Sequence, residues 1–119
     1  SSIFTNQQVI KMQFLEYQEK AVQTAIYNKE HSIIYPALGL ANEAGEVLGK
    51  LKKVLRDNNG GYTTEHINAI GSEIGDTLWY MAALCRDLGL NMDDIAKQNL
   101  SKLEDRKNRG VLKGSGDTR

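Results

Sequence analysis

Apolar residues recur along this chain every three or four positions, and strict apolar/polar alternation is almost absent, so the pattern predicts helices rather than strands. Between Met12 and Tyr27, Phe14, Leu15, Ala21, Val22 and Ala25 share one wide face, with Glu16, Glu19 and Gln23 largely opposite. Asn28–Tyr35 reads as a connection. Pro36 suits the first turn of a second helix, where its missing N–H leaves no bond unmade. That helix runs to Asp57 on a core stripe of Leu40, Ala44, Val47, Leu51 and Val54 with Leu48 and Leu55, and Asn58-Asn59-Gly60-Gly61 stops it. Thr63 or Thr64 caps a third helix reaching Leu88, with Gly89 as its end signal. Its core face is expected to hold Ile67, Ile70, Ile74, Leu78, Met81 and Leu88 with Cys85. Trp79, Ala82 and Ala83 carry apolar surface round a second side, which predicts burial against another subunit. Asn91 caps a fourth helix that ends at Asn108. Ile3, Phe4, Val9 and Ile10 are expected to dock on the body or open a helix.

The elements add up to an all-α fold, a four-helix bundle-like domain over residues 1–108 that oligomerisation completes as a homodimer or homotetramer. Residues 109–119 lose the periodicity and are rich in glycine, so they are expected to form a flexible tail. At 119 residues the chain suits one domain. Lys+Arg and Asp+Glu number 15 each, so no basic field argues for a nucleic-acid partner. One cysteine excludes an intrachain disulfide, no apolar run is long enough to span a membrane, and the start lacks the layout of a secretory signal. A soluble, cytoplasmic protein is the expectation.

The chemistry lies in a repeated acidic pattern. Glu43-Ala44-Gly45-Glu46-Val47-Leu48 is echoed about thirty residues on by Glu73-Ile74-Gly75-Asp76-Thr77-Leu78. Acids three apart on a helix project from one face, with Cβ atoms about 5–6 Å apart. If the second and third helices pack together, four carboxylates converge and repel unless a cation sits among them. Oxygen-only ligands suit a hard divalent ion, Mg²⁺ or Mn²⁺. Gly45 and Gly75 inside the helices suggest close backbone approach there. A di-iron carboxylate bundle would want histidine three residues after glutamate, and neither His31 nor His66 stands there. No GxxxxGK[ST] phosphate loop is present, and Cys85 falls in a core stripe. Asn99, Lys102 and Arg106 follow one another along the edge of the fourth helix, and Lys50 and Lys53 fall on the carboxylate side of the second. A carboxylate-held metal beside such cations suits a polyphosphate.

The pairing of LGLANEAGEV with EIGDTLWYMAAL, followed by NLSKLEDR, resembles the MazG-like nucleotide pyrophosphohydrolases of the all-α NTP pyrophosphatase group over roughly Tyr17 to Arg106. That family's signature is ExxE, a variable spacer, then ExxD. Asn42 stands where many members carry a further glutamate. The resemblance implies Mg²⁺-dependent hydrolysis of a nucleoside triphosphate to monophosphate and pyrophosphate, as nucleotide-pool housecleaning. It implies Glu43, Glu46, Glu73 and Asp76 as metal ligands and catalytic groups. Asn99, Lys102 and Arg106 would hold phosphates, with Lys53 as a further candidate. Tyr17 and Trp79 are candidates for stacking on a base, with core or interface as their simpler role. The same carboxylates would also serve a non-catalytic bundle that binds metal or nucleotide in regulation or assembly. In the tail, Lys113 and Arg119 flank Gly114-Ser115-Gly116, whose N–H groups suit an anion, so the tail is a candidate to close over a bound triphosphate.

Overall fold

The computed structural model describes residues 11–119, and the expectations for Ile3, Phe4, Val9 and Ile10 lie outside them. The described residues are helical, with no strand among them. Helix α1 spans Phe14–Ala21, α2 Ile34–Asn58, α3 Thr64–Asp87 and α4 Met92–Asn108, with single 3₁₀ turns at Val22–Thr24 and Lys29–His31. The first helix was expected to continue to Tyr27. It tightens after Ala21 instead, because the Thr24 hydroxyl donates to the Ala21 carbonyl at 2.7 Å and Ala25 turns extended.

Local signals set the other boundaries. Asn59 takes a left-handed conformation at φ 52° and closes α2. Thr63 opens α3 with a reciprocal cap: its hydroxyl accepts from the His66 N–H, and the His66 Nδ1 accepts from the Thr63 N–H, both at 3.1 Å. The imidazole here does what glutamate does in the usual capping box. Asn91 accepts from the Asp93 N–H at 2.8 Å to start α4.

The short connection Asn59–Thr63 folds α2 and α3 into an antiparallel hairpin, which is the most extensive packing in the molecule. Two polar pins hold the remaining pieces to it. Buried Gln18 donates to the Leu90 carbonyl and accepts from the Met92 N–H, each at 2.8 Å, tying α1 to the α3–α4 turn. Asp87 accepts from the Tyr27 hydroxyl at 2.6 Å, the Ile33 N–H at 2.9 Å and Arg86 Nε at 3.1 Å. The Ile33 bond secures a β-branched residue at φ 71°, a conformation that costs energy without such a clamp.

The core corrects the expected face of α3. Ala82 and Ala83 are buried within the single chain, and Trp79 packs against α1, its indole N–H donating to the Ala21 carbonyl at 3.1 Å and Thr24 Oγ1 at 2.8 Å. Of the surface assigned to a second subunit, Trp79 and Ala82 are therefore covered by α1 and the turn after it, and Ala83 is buried within the chain as well. Ile67, Ile74, Met81 and Leu88, expected inside, stand exposed, as do Leu48 and Leu55 of α2. Cys85 packs against the core, and burial pushes its thiol pKa up, the opposite of an activated nucleophile. Among the described residues, no helix is long and apolar enough to cross a membrane.

Candidate metal centre

Midway along the hairpin, α2 and α3 bring Glu43, Glu73 and Asp76 together. One carboxylate oxygen from each lies within 4.8 Å of the others. Glu43 and Glu73 are half-buried and Asp76 is exposed. Glu46 lies outside this trio, an exposed acid on the next turn of α2 whose charge still acts on Glu43. The Glu43 carboxyl is held above the ordinary glutamate range. The main cause is the Glu73 carboxyl, which shares a hydrogen bond with it, followed by desolvation and the charges of Glu73, Asp76 and Glu46. Among the described residues no lysine or arginine forms an ion pair with any of the four acids.

This donor set fits a hard divalent cation. It is oxygen-only and already converged, and among the described residues no ion pair offsets its repulsion. Neighbouring carboxylates raise the Glu43 pKa, and a bound cation would offset that repulsion.

An aromatic wall stands on one side of the trio. Glu43 and Asp76 share a pocket of about 300 Å³ with Trp79 and Tyr80, whose rings meet edge-on at 5.0 Å and 90°. The Tyr80 ring lies across the backbone of α2 at Gly39, and a Cβ at Gly39 would run into it. A Cβ at Gly45 or Gly75 would meet nothing within 4 Å. The glycine that permits close approach is thus Gly39, one turn before Glu43, and not those inside the acidic motifs. The Tyr80 phenol is pushed up, first by its hydrogen bond with Tyr35, then by burial and the Glu43 and Asp76 charges. Tyr17, half-buried against the core, is likewise raised by burial and by Asp76. On the other side of the trio, Lys50, Lys53, Val54, Asp57, His66 and Ala69 line a smaller cavity of about 220 Å³.

The basic row on α4 takes a different course. Lys102 Nζ donates to the Asp117 carboxylate at 3.1 Å. Arg106 Nη2 donates to the Asp117 carbonyl at 2.8 Å and to its carboxylate at 3.2 Å. Arg106 is 4 % exposed, and its Nε has no partner. Asn99 lines an apolar cavity of about 430 Å³ with Leu40, Leu78 and Met92. The tail turns back on α4, and Arg119 spends its guanidinium on the Val111, Leu112 and Gly116 carbonyls. Asp117 was missed in the sequence, although a signal was there, since it is the only acid after Asp105. Tyr80 was missed too; its signal was Gly39, a helix-interior glycine one turn before the first motif acid.

Comparison with known proteins adds the family. A family model described as the MazG nucleotide pyrophosphohydrolase domain matches residues 32–111, which include all four motif acids and the α4 row. The chain is 41% identical over 109 residues to the Gene 37 protein of Mycobacterium phage L5, with 87% of this chain and 96% of that protein covered. No solved structure matches the chain significantly.

Proposed function

This chain belongs to the MazG nucleotide pyrophosphohydrolase family, and on that premise we propose that it hydrolyses a nucleoside triphosphate, NTP or dNTP, to the monophosphate and pyrophosphate. The observation that carries the reading is the trio Glu43, Glu73 and Asp76, three converged carboxylates that pair with no lysine or arginine among the described residues. These residues would hold Mg²⁺ or Mn²⁺, with Glu46 as a fourth ligand from the same face of α2. A bound divalent ion would neutralise the phosphate oxygens and polarise the anhydride under attack. The carboxylates would orient the attacking water, and one of the glutamates would accept its proton. Lys53, Asn99, Lys102 and Arg106 are assigned to the phosphates. For Lys102 and Arg106 this requires phosphate to replace Asp117.

Residues 1–108 are taken as the catalytic domain and 109–119 as an appended tail. The exposed apolar stripe of Ile67, Ile74, Met81 and Leu88 supports a homodimer or homotetramer, since α3 otherwise leaves large apolar side chains in water. A role in clearing nucleotides from the cytoplasmic pool follows from this activity. The test is a panel of NTPs and dNTPs incubated with Mg²⁺, with pyrophosphate release measured. Turnover of at least one nucleotide is expected, and turnover of none would sink the enzyme reading.

A further inference from the structure

We propose that the substrate lies along the α2–α3 seam in one direction, its terminal phosphates in the cavity of Lys50, Lys53 and His66 and its nucleoside against Trp79 and Tyr80. The proposal rests on the functional reading above and adds to it a polarity and two further binding residues, Lys50 and His66.

The seam has a fixed order because its helices run antiparallel. Down α2 stand Lys53, Lys50, Glu46, Glu43 and Gly39; up α3, beside them, stand His66, Ala69, Glu73, Asp76 and Trp79-Tyr80. At about 1.5 Å per residue, Lys50 sits roughly 10 Å from Glu43 along the axis, and Gly39 with the Tyr80 ring about 6 Å away on the opposite side. A nucleoside triphosphate has the same order, with a stacking base and sugar, then the anhydride to be cut, then the terminal phosphates. Cation cavity, carboxylate trio and aromatic pocket match it part for part.

The cavity's chemistry is that of an anion site. Neither Lys50 nor Lys53 has an ion pair among the described residues. Asp57 also lines the cavity, but Arg56 clamps its carboxylate through two bonds at 2.6 and 2.9 Å and holds its pKa down. Lys53 and His66 lower it further, yet Arg56 is its main partner, so two lysines in the cavity face one carboxylate that is already clamped. His66 is prepared for the same task. The Thr63 N–H occupies Nδ1, so a neutral ring carries its proton on Nε2 and offers it as a donor.

The reverse orientation fails on the same grounds. The pocket beyond the trio is lined by Glu43, Asp76, Trp79 and Tyr80, with no basic side chain. Terminal phosphates placed there would meet carboxylates and rings. A flat, weakly polar base gains from aromatic faces what a phosphate would lose.

The test compares two halves of the ligand on the full-length protein in Mg²⁺. Inorganic pyrophosphate and a nucleoside monophosphate from the turnover panel are titrated calorimetrically against Lys50→Gln, His66→Gln and Tyr80→Leu. Glutamine at position 66 retains a capping-box residue, so α3 keeps its start. Lys50→Gln and His66→Gln are expected to weaken pyrophosphate about tenfold and three- to tenfold, leaving the monophosphate unchanged. Tyr80→Leu is expected to do the reverse. Pyrophosphate binding unaffected by both cavity variants, or a monophosphate weakened as much as pyrophosphate, overturns the proposal. If no nucleotide is turned over, adenosine monophosphate serves as the second ligand. Loss of pyrophosphate binding in Lys50→Gln then keeps the anion site while the hydrolytic reading falls.

Discussion

The seam between α2 and α3 gathers like charges, whereas α4 and the tail gather opposite ones. In the seam, Glu43, Glu73 and Asp76 approach within 4.8 Å with nothing of opposite sign between them, and the Glu43 pKa rises in response. On α4, Lys102 and Arg106 reach a carboxylate supplied 15 and 11 residues later, and the Asp117 pKa falls, first through Lys102 and then through Arg106. Both regions were expected to be halves of one phosphate-and-metal site. The first calls for an ion from solution, since among the described residues no lysine or arginine pairs with it. The second has met its need internally, at the cost of holding a buried guanidinium through an exposed partner: the Arg106 side chain is 5% exposed and the Asp117 side chain 83%. Convergent like charge therefore marks the open, ligand-seeking part of this molecule more firmly than a row of cations does.

The sharpest way to break that contrast is to remove an acid from the seam. Asp76→Ala and Glu46→Ala are each expected to abolish Mg²⁺-dependent pyrophosphate release while the protein stays folded by circular dichroism. Full activity in either would reduce that acid to surface charge, and Glu46 is the more informative because it stands outside the trio.

Next in size is Gly39→Ala, which drives a methyl group into the Tyr80 ring. Overpacking of this kind costs about 1–3 kcal/mol, read as a lower midpoint in chemical denaturation, together with weaker nucleotide binding. The same change at Gly45, where a Cβ meets nothing, is expected to be neutral or slightly stabilising.

Metal removal should expose the seam's repulsion as a pH dependence. The folded-state pKa of Glu43 is raised, so its contribution favours the folded state at low pH and is lost as pH rises through that pKa. The metal-free protein is therefore expected to lose this contribution as pH rises from below the ordinary glutamate range to pH 7. Saturating Mg²⁺ should raise the melting temperature most at pH 7. A melting temperature at pH 7 that is indifferent to Mg²⁺ would falsify the metal-site reading.

The smallest expected effect lies in the other region. Asp117→Asn removes the carboxylate that phosphate must displace from Lys102 and Arg106. A few-fold fall in KM for the triphosphate is expected, with kcat and melting temperature little changed, because the pair is exposed on the Asp117 side. An unchanged KM would mean that these cations serve the tail alone.

Much of this was legible along the chain. Three of the four helices lie close to where periodicity and caps place them, because Pro36, the Asn58–Gly61 turn, Thr63 and Asn91 act on their own neighbours and need no tertiary partner. The acidic repeat was equally readable, since residues three apart on a helix share a face in any fold. Periodicity also grouped Ile67, Ile74 and Met81 on one face and Ala82 and Ala83 on another. It could not say which face the chain would cover.

That choice depends on how α3 is rotated against α1, and the rotation is set by distant contacts: Trp79 on the Ala21 carbonyl, Gln18 on the α3–α4 turn, Asp87 on the Ile33 N–H. The sequence by itself determined three of the four helices with their ends, and the four motif acids. Only the tertiary structure decided that Glu46 stands apart from the other three, that Tyr80 closes over Gly39, and that Asp117 claims the cations of α4. The first set follows from bonds and side-chain spacing within a turn or two of helix. The second follows from which surfaces meet, and that is settled by burial summed over the whole chain.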